Sequence, residues 1–362
     1  MNSFPVVPPI ALPQPRRGQR RVISSDVDDW VQITDLQPNL TLPKVIVSKV
    51  PGLRLVDWVK TRREYLTTLL QSAGGLLFRG FEVADPAAFE SFLQSVAGDL
   101  LDYRDRSSPR HLVGQHIYTS TDYPADQEIF LHSENSYAAT WPLKLAFCCW
   151  TAPRSGGETP IADTRKLLQS IDPAIRDRFA RLGVMYTRTF GDGMGLSWQE
   201  VFQTDVPSEV EAFCQANAIE WEWISDNRLR TRQVRPAITR HPQTREWVWF
   251  NHAVFFHITS RPPEIRETLL ANFGEAALPH NTYYGDGTPI EPEVLDALRE
   301  CYHAATVTFT WQEKDVLLLD NMLTAHGRSP FTGDRLVLVG MAQPQTLADS
   351  NFSIDFTEDL GV

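Results

Sequence analysis

Three residues of this chain have the types and spacing to hold a catalytic metal. His132 and Glu134 stand two apart in LHSENSY (131–137). In an extended segment, residues i and i+2 project to the same side, so an imidazole and a carboxylate can reach one point. His326 comes much later, after the run DVLLLDNMLTA (315–325). Two histidines and one carboxylate on one face of a metal leave three positions open, which suits non-haem Fe(II). The same donors could bind a catalytic zinc. An HxE pair by itself is a weak signal, because many such pairs are surface-loop residues.

A second pair of residues strengthens it. Thr159 lies in GGETPIAD (156–163), and Arg335 opens the apolar strand RLVLVGMA (335–342). A lone arginine there is a costly buried charge unless it meets an anion. A guanidinium offers two parallel hydrogen bonds to a carboxylate, and a threonine hydroxyl adds a third. A dicarboxylic co-substrate anchored at that end could chelate the metal with its other end.

With these residues in place the sequence resembles the taurine dioxygenase-like (TauD/TfdA) Fe(II)/2-oxoglutarate-dependent oxygenases, most of all the branch with clavaminate synthase and SyrP-like enzymes. The matching stretches are LHSENSY, GGETPIADTRKLL (156–168), WFNHAVFFH (249–257), TYYGDGTPIE (282–291) and DNMLTAHGRSPFTGDR (320–335). The resemblance implies His132, Glu134 and His326 as metal ligands, and Thr159 and Arg335 as the hold on the distal carboxylate of 2-oxoglutarate. It implies Fe(II), 2-oxoglutarate and O2 as reagents, with release of succinate and CO2. It also implies a double-stranded β-helix core, a jelly roll of cupin-like form. Related halogenases carry a small residue where Glu134 stands, so halogenation is not expected. Taurine and 2,4-D dioxygenase types carry a further arginine where this chain has Val339, so a sulfonate clamp is not expected either. The expected substrate is a free amino acid or amino-acid-like small molecule in specialised metabolism. The alternative is the same chemistry on an aminoacyl group tethered to a carrier protein. A zinc hydrolase or an inactive metal-binding β-helix would need neither Thr159 nor Arg335.

The substrate contacts are less defined. Asn135, Ser136 and Tyr137 follow the HxE pair, and alternation puts Ser136 on the ligand face with Asn135 and Tyr137 opposite. One of the three would touch substrate, or they would support the ligands. Asn251 falls in a stretch that borders the substrate pocket in relatives, while His252 and His257 read as structural. Arg328 would pair with Asp320 or Asp334, or face substrate. Arg188, in YTRTF (186–190), would face an anionic substrate group or form a buried ion pair. Trp198, beside GDGMGLS (191–197), could line a lid.

The elements that must position these residues are mainly strands. LLFRGF (76–81), LKLAFCCW (143–150), GVMYTRTF (183–190), AIEWEWI (218–224), LRTRQVRPAI (229–238), EWVWFN (246–251), ATVTFTW (305–311), DVLLLD (315–320) and RLVLVGMA read as strands, rich in β-branched and aromatic residues. Helices are expected over 55–72, 86–100, 173–182, 207–217, 262–272 and 292–304. The absence of a regular βαβ rhythm argues for a mainly β fold with helical insertions (α+β). Residues 1–44 read as a proline-rich arm that includes the Arg16–Arg21 cluster, and 45–362 as one domain.

Composition narrows the classes further. Lys plus Arg is 34 against Asp plus Glu 45, a net charge of −11, which disfavours nucleic acid as partner. No 18-residue apolar run and no signal-like start occur, so a cytoplasmic protein without a membrane span is expected. The four cysteines fit neither a zinc ribbon nor a disulfide framework and read as reduced thiols. Adjacent Cys148 and Cys149 should point to opposite faces of one strand. The sequence leaves the oligomeric state open.

Overall fold

The computed structural model describes residues 27–102, 110–191 and 195–347. Strands dominate, with helices inserted between them. A seven-stranded sheet runs in the order Val31–Gln37, Leu40–Ser48, Gly75–Arg79, Val316–Asp320, Thr140–Thr151, Leu336–Thr346, Ile117–Thr119. Leu40–Ser48 and Gly75–Arg79 pair parallel, and the other neighbours pair antiparallel.

Its central strands are covered on both faces, which is why they read as continuous apolar runs. Alternation sorts their side chains. Leu76, Phe78, Ala146, Cys148 and Leu318 pack with residues of the helices Arg63–Ala73 and Pro86–Ala97. Leu77, Leu145, Phe147, Cys149, Leu317 and Val339 pack on the opposite side. Cys148 and Cys149 therefore do point to opposite faces; burial pushes both thiols up to about 12, and none of the four cysteines is in a disulfide. The helix Pro86–Ala97 starts where expected: the Asp85 carboxylate accepts the Ala88 N–H at 2.7 Å, with Pro86 at the first position.

A four-stranded sheet, Thr306–Val307, Ile161–Asp163, Thr324–Arg328, Ile129–His132, joins the large sheet through Ile161, which packs with Leu145 and Phe147. A second four-stranded sheet holds Glu220–Ser225, Arg228–Arg235, Val184–Phe190 and His280–Tyr284. Among the described residues, no helix is long and apolar enough to cross a membrane.

Three expectations need correction. Residues 31–44 are not part of an arm: Val31–Gln37 and Leu40–Ser48 form a hairpin, turning at left-handed Asn39 (φ 68), and extend the large sheet. The start of the chain, with Arg16–Arg21, lies outside the described residues. The helix expected over 55–72 is two, Leu55–Val59 and Arg63–Ala73, because the Arg62 guanidinium takes the Trp58 carbonyl at 3.0 Å. The strand expected over 305–311 pairs only at Thr306–Val307. Beyond it the Thr310 carbonyl accepts from Arg79, while Phe309 and Trp311 enter the core.

At the end of the strand Val316–Asp320, the Asp320 carboxylate is fully buried between Lys144 (2.8 Å) and His241 (3.1 Å). Burial pushes this carboxyl up, but Lys144 and His241 outweigh it and hold it well below the usual range. Removing one partner strands a buried charge. Lys144→Ala should therefore lower the unfolding free energy by about 3–5 kcal/mol, read by urea denaturation.

Candidate active site

The site begins with a register. Ile129–His132 and Thr324–Arg328 are antiparallel neighbours, and His132 sits directly opposite His326. Directly opposed residues project to the same face. The imidazole centroids are 4.5 Å apart. The backbones cross closely just beyond, where a side chain at Gly327 would place its Cβ 2.6 Å from the Ile129 carbonyl.

Glu134 joins them from the turn after its strand. One ligand atom from each of His132, Glu134 and His326 lies within 4.8 Å of the others. His132 Nδ1 donates to the Phe130 carbonyl at 2.8 Å, which leaves Nε2 as the free lone pair. Phe255 stacks on this ring at 4.5 Å and 9°. Burial, then His326, pushes His132 down to about 3, so its imidazole is neutral at ordinary pH. His326 Nε2 lies 3.6 Å from Glu134 Oε2. Arg110 donates to both Glu134 oxygens, at 2.9 and 3.0 Å. Burial pushes the Glu134 carboxyl up; Arg110 and then the two imidazoles outweigh it and keep it ionised.

His132, His326, Arg110 and Phe255 line a cavity of about 750 Å³, an ordinary volume for a small-molecule site. Thr159 and Arg335 line it too. The Thr159 hydroxyl accepts from Trp311 Nε1 at 3.1 Å. Arg335 donates to the Gly157 carbonyl (2.9 Å) and Ser120 Oγ (3.4 Å), and no carboxylate among the described residues pairs with it. Burial, then Arg328, pushes its guanidinium down to about 10. A desolvated arginine without an anion is a receptor for one. Val339 also lines the cavity.

The expected substrate residues fare unevenly. Residues 133–138 form a turn instead of continuing the strand, with Asn135 left-handed (φ 54) and Ser136 N–H bonded to Ser133 O. Strand alternation therefore breaks down after Glu134. Asn135 is buried, Ser136 Oγ bonds His252 Nδ1 (2.5 Å), and Tyr137 packs against Phe256. Asn251 spends its amide on the main chain: Nδ2 donates to Ala237 O and Oδ1 accepts Ala253 N–H, both at 2.9 Å. The Arg188 guanidinium lies 4.8 Å over Phe190. None of these five is among the cavity-lining residues. Arg328 is, but its guanidinium pairs with neither Asp320 nor Asp334. It donates to the carbonyls of Tyr123, Pro124 and Gln127 and so braces that loop. Trp198 is buried against Trp223 and is not among the cavity-lining residues.

Sequence reasoning missed Arg110, Phe255, His257, Arg261, His280 and Arg299, all of which line the cavity. WFNHAVFFH was the right segment for two of them. Its short helix Ala253–Phe256 turns Phe255, instead of Asn251, toward the ligands.

The sequence model for "Taurine catabolism dioxygenase TauD, TfdA family" matches residues 32–342. The chain belongs to this family. It is an Fe(II)/2-oxoglutarate-dependent dioxygenase, and two imidazoles with one carboxylate are a fitting donor set for Fe(II). Among curated TauD/TfdA relatives, the dapdiamide synthesis protein DdaC of Enterobacter agglomerans is 44% identical over 276 residues, covering 76% of this chain and 84% of that protein. A clavaminate synthase-like protein of Arabidopsis thaliana is 27% identical over 321 residues, covering 84% and 93%. The crystal structure of PvcB from Pseudomonas aeruginosa superposes with TM-score 0.53 at 19% identity, covering 90% of this chain and 94% of that one. Another PvcB structure, described as an Fe, alpha-ketoglutarate dependent oxygenase from an isonitrile synthetic pathway, gives 0.52 at 17% identity, with the same coverage. These likenesses place the fold of this TauD/TfdA oxygenase.

Gly327→Ala must push Ile129 away and so part the two histidine strands. We expect a folded variant whose Co(II) affinity falls about 10-fold or more, in the range known for disturbed ligand supports, read by absorption titration of the apoprotein. His257, at the cavity wall, is lowered from 6.5 to about 4 by burial, then by Arg299 and Arg266. The folded protein thus binds fewer protons there than the unfolded chain. The stability it contributes is complete above pH 6.5 and is lost as pH falls toward 4. His257→Asn, which keeps an acceptor for the Thr259 N–H, should flatten that part of the stability–pH curve in urea unfolding.

Proposed function

We propose that this oxygenase oxidises an unactivated C–H of an amino-acid-like small molecule in natural-product biosynthesis. His132, Glu134 and His326 hold Fe(II), and Arg335 with Thr159 holds the distal carboxylate of 2-oxoglutarate. The observation that carries this assignment is that the cavity is lined both by the two histidines of the three-donor cluster and by an arginine that lacks a carboxylate partner among the described residues. The biosynthetic setting rests on the similarity to a dapdiamide synthesis protein. When bound, Fe(II) and 2-oxoglutarate supply O2 activation, with succinate and CO2 as by-products.

The chain's own residues set the conditions. The Phe130 carbonyl fixes the His132 tautomer, Arg110 keeps Glu134 ionised, and Phe255 covers the His132 ring. Apolar Val254, Phe255, Ile258 and Val339 line the cavity and disfavour water there, which limits side reactions. Residues 31–347 act as one oxygenase domain whose sheets form a double-stranded β-helix core.

A second reading has its own observation. Arg261 and Arg299 line the cavity, and Arg266 joins Arg299 in acting on His257. This basic grouping suits an acidic carrier protein delivering a tethered aminoacyl group. Succinate release separates the two: free amino acids drive turnover in the first case, and only carrier-bound thioesters do in the second. Before that, anaerobic titration of the apoprotein with Fe(II) and 2-oxoglutarate should give a visible charge-transfer band. It should vanish in His132→Ala and need at least about 10-fold more 2-oxoglutarate in Arg335→Ala, since losing a charged bidentate contact costs more than about 1.4 kcal/mol. No band in folded wild-type protein would sink the assignment.

A further inference from the structure

Asn321 stands out among buried polar residues because all its side-chain bonds go to main-chain groups, two of them on Glu134 and one on Pro142 in the strand Thr140–Thr151. It is fully buried. Its Oδ1 accepts the Glu134 N–H at 2.7 Å. Its Nδ2 donates to the Glu134 carbonyl at 2.9 Å and to the Pro142 carbonyl at 2.8 Å. One amide thus closes both polar main-chain groups of Glu134. These are the groups a strand partner would have closed had the chain stayed extended. Glu134 itself is 2% exposed, and the chain reverses immediately after it at left-handed Asn135. Its strand ends at His132, so Glu134 lies beyond the reach of that sheet ladder.

Asn321 is itself rigidly mounted. Its N–H donates to the Leu143 carbonyl at 2.9 Å. The preceding Asp320 accepts the N–H groups of Met322 (3.2 Å) and Leu323 (3.3 Å) while paired with Lys144 and His241. His241 Nδ1 accepts from Gln243 and Thr244, so its proton sits on Nε2 and points at Asp320. The same turn then launches the strand Thr324–Arg328 that carries His326. One turn therefore sets the main chain of Glu134 and the origin of His326.

We propose that Asn321 is the positioning residue of this metal site: its amide fixes the Glu134 main chain, and through it the carboxylate, relative to His132 and His326. The proposal rests on the metal-site reading above. It goes beyond fold stability, because it ties one amide to the geometry of one ligand.

The test reads metal binding by the apoprotein with Co(II) as probe, following both the dissociation constant and the visible ligand-field spectrum. Asn321→Ala leaves three buried main-chain groups unpaired. Asn321→Asp keeps the shape and the acceptor but loses both donations. The control is Asn251→Ala, which removes two buried main-chain bonds from a residue outside the cavity lining. At a temperature where all variants are folded, both Asn321 variants should bind Co(II) about 10–100-fold more weakly, with an altered spectrum. Asn251→Ala should lose stability yet keep wild-type affinity and spectrum. Asn321 variants with wild-type Co(II) binding would reduce the residue to a structural one and overturn the proposal; if Asn321→Ala does not fold, Asn321→Asp decides. Wild-type protein that binds no Co(II) would overturn the metal site and this proposal together.

Discussion

The site depends on one register: His132 opposite His326 across two antiparallel strands. Side chains in a strand alternate, so a slip of one residue would send one imidazole to the other face. The register must therefore be specified by more than the histidines. It is pinned beyond them by Gly327, where only a residue without a side chain lets the strands approach, and on the other flank by the pairing of Thr324–His326 with Ile161–Asp163. Packing of Ile161 with Leu145 and Phe147 then fixes this small sheet against the large one. The large sheet is in this sense the mount, and its continuous apolar strands are the reason the mount is stiff.

Buried charge separates the mount from the working surface. Arg79 is closed by Asp315 at 2.6 Å, and Lys144 by Asp320. Both pairs are nearly inaccessible and have their hydrogen bonds filled from the main chain as well. Arg335 differs. Among the described residues it holds a carbonyl and a hydroxyl and no carboxylate. Cores do not keep an unpaired cation for stability, since the desolvation cost is not returned. The contrast inside one molecule points to binding capacity reserved for an anion.

The three proposed metal ligands are legible in the sequence because the chemistry restricts residue type, and because LHSENSY and DNMLTAHGRSPFTGDR resemble a family pattern. The strands were readable where both faces are covered, as in LKLAFCCW and DVLLLD, since burial demands apolar residues throughout. What could not be read depends on local chain reversal. Period-two alternation requires a strand that continues through Tyr137; this one ends at His132, and a left-handed Asn135 comes soon after. Asparagine tolerates that conformation, so the residue type fits a turn as well as it fits a substrate contact or a support for the ligands. Arg110 lies in no motif and is joined to Glu134 only by the fold. The hairpin of residues 31–48 follows directly on proline-rich sequence, and its second strand is held by parallel pairing with the distant Gly75–Arg79, which no local pattern announces.

Substrate recognition shows the same limit. Asn135, Tyr137, Arg188 and Asn251 looked chemical because they are polar residues, or a tyrosine, in or near recognisable motifs. The structure uses them to end strands, cap turns or pack rings. The cavity lining instead includes Phe255, His257, Arg261, His280 and Arg299, on a short helix, its following loop, a strand start and a distant helix. Reagents common to a family need fixed donors at fixed places, and those donors leave motifs. A substrate particular to one enzyme is met by side chains from loops and helix ends, where spacing carries no fixed meaning. The division between what could and could not be read from the sequence therefore tracks the division between the shared and the particular halves of the reaction.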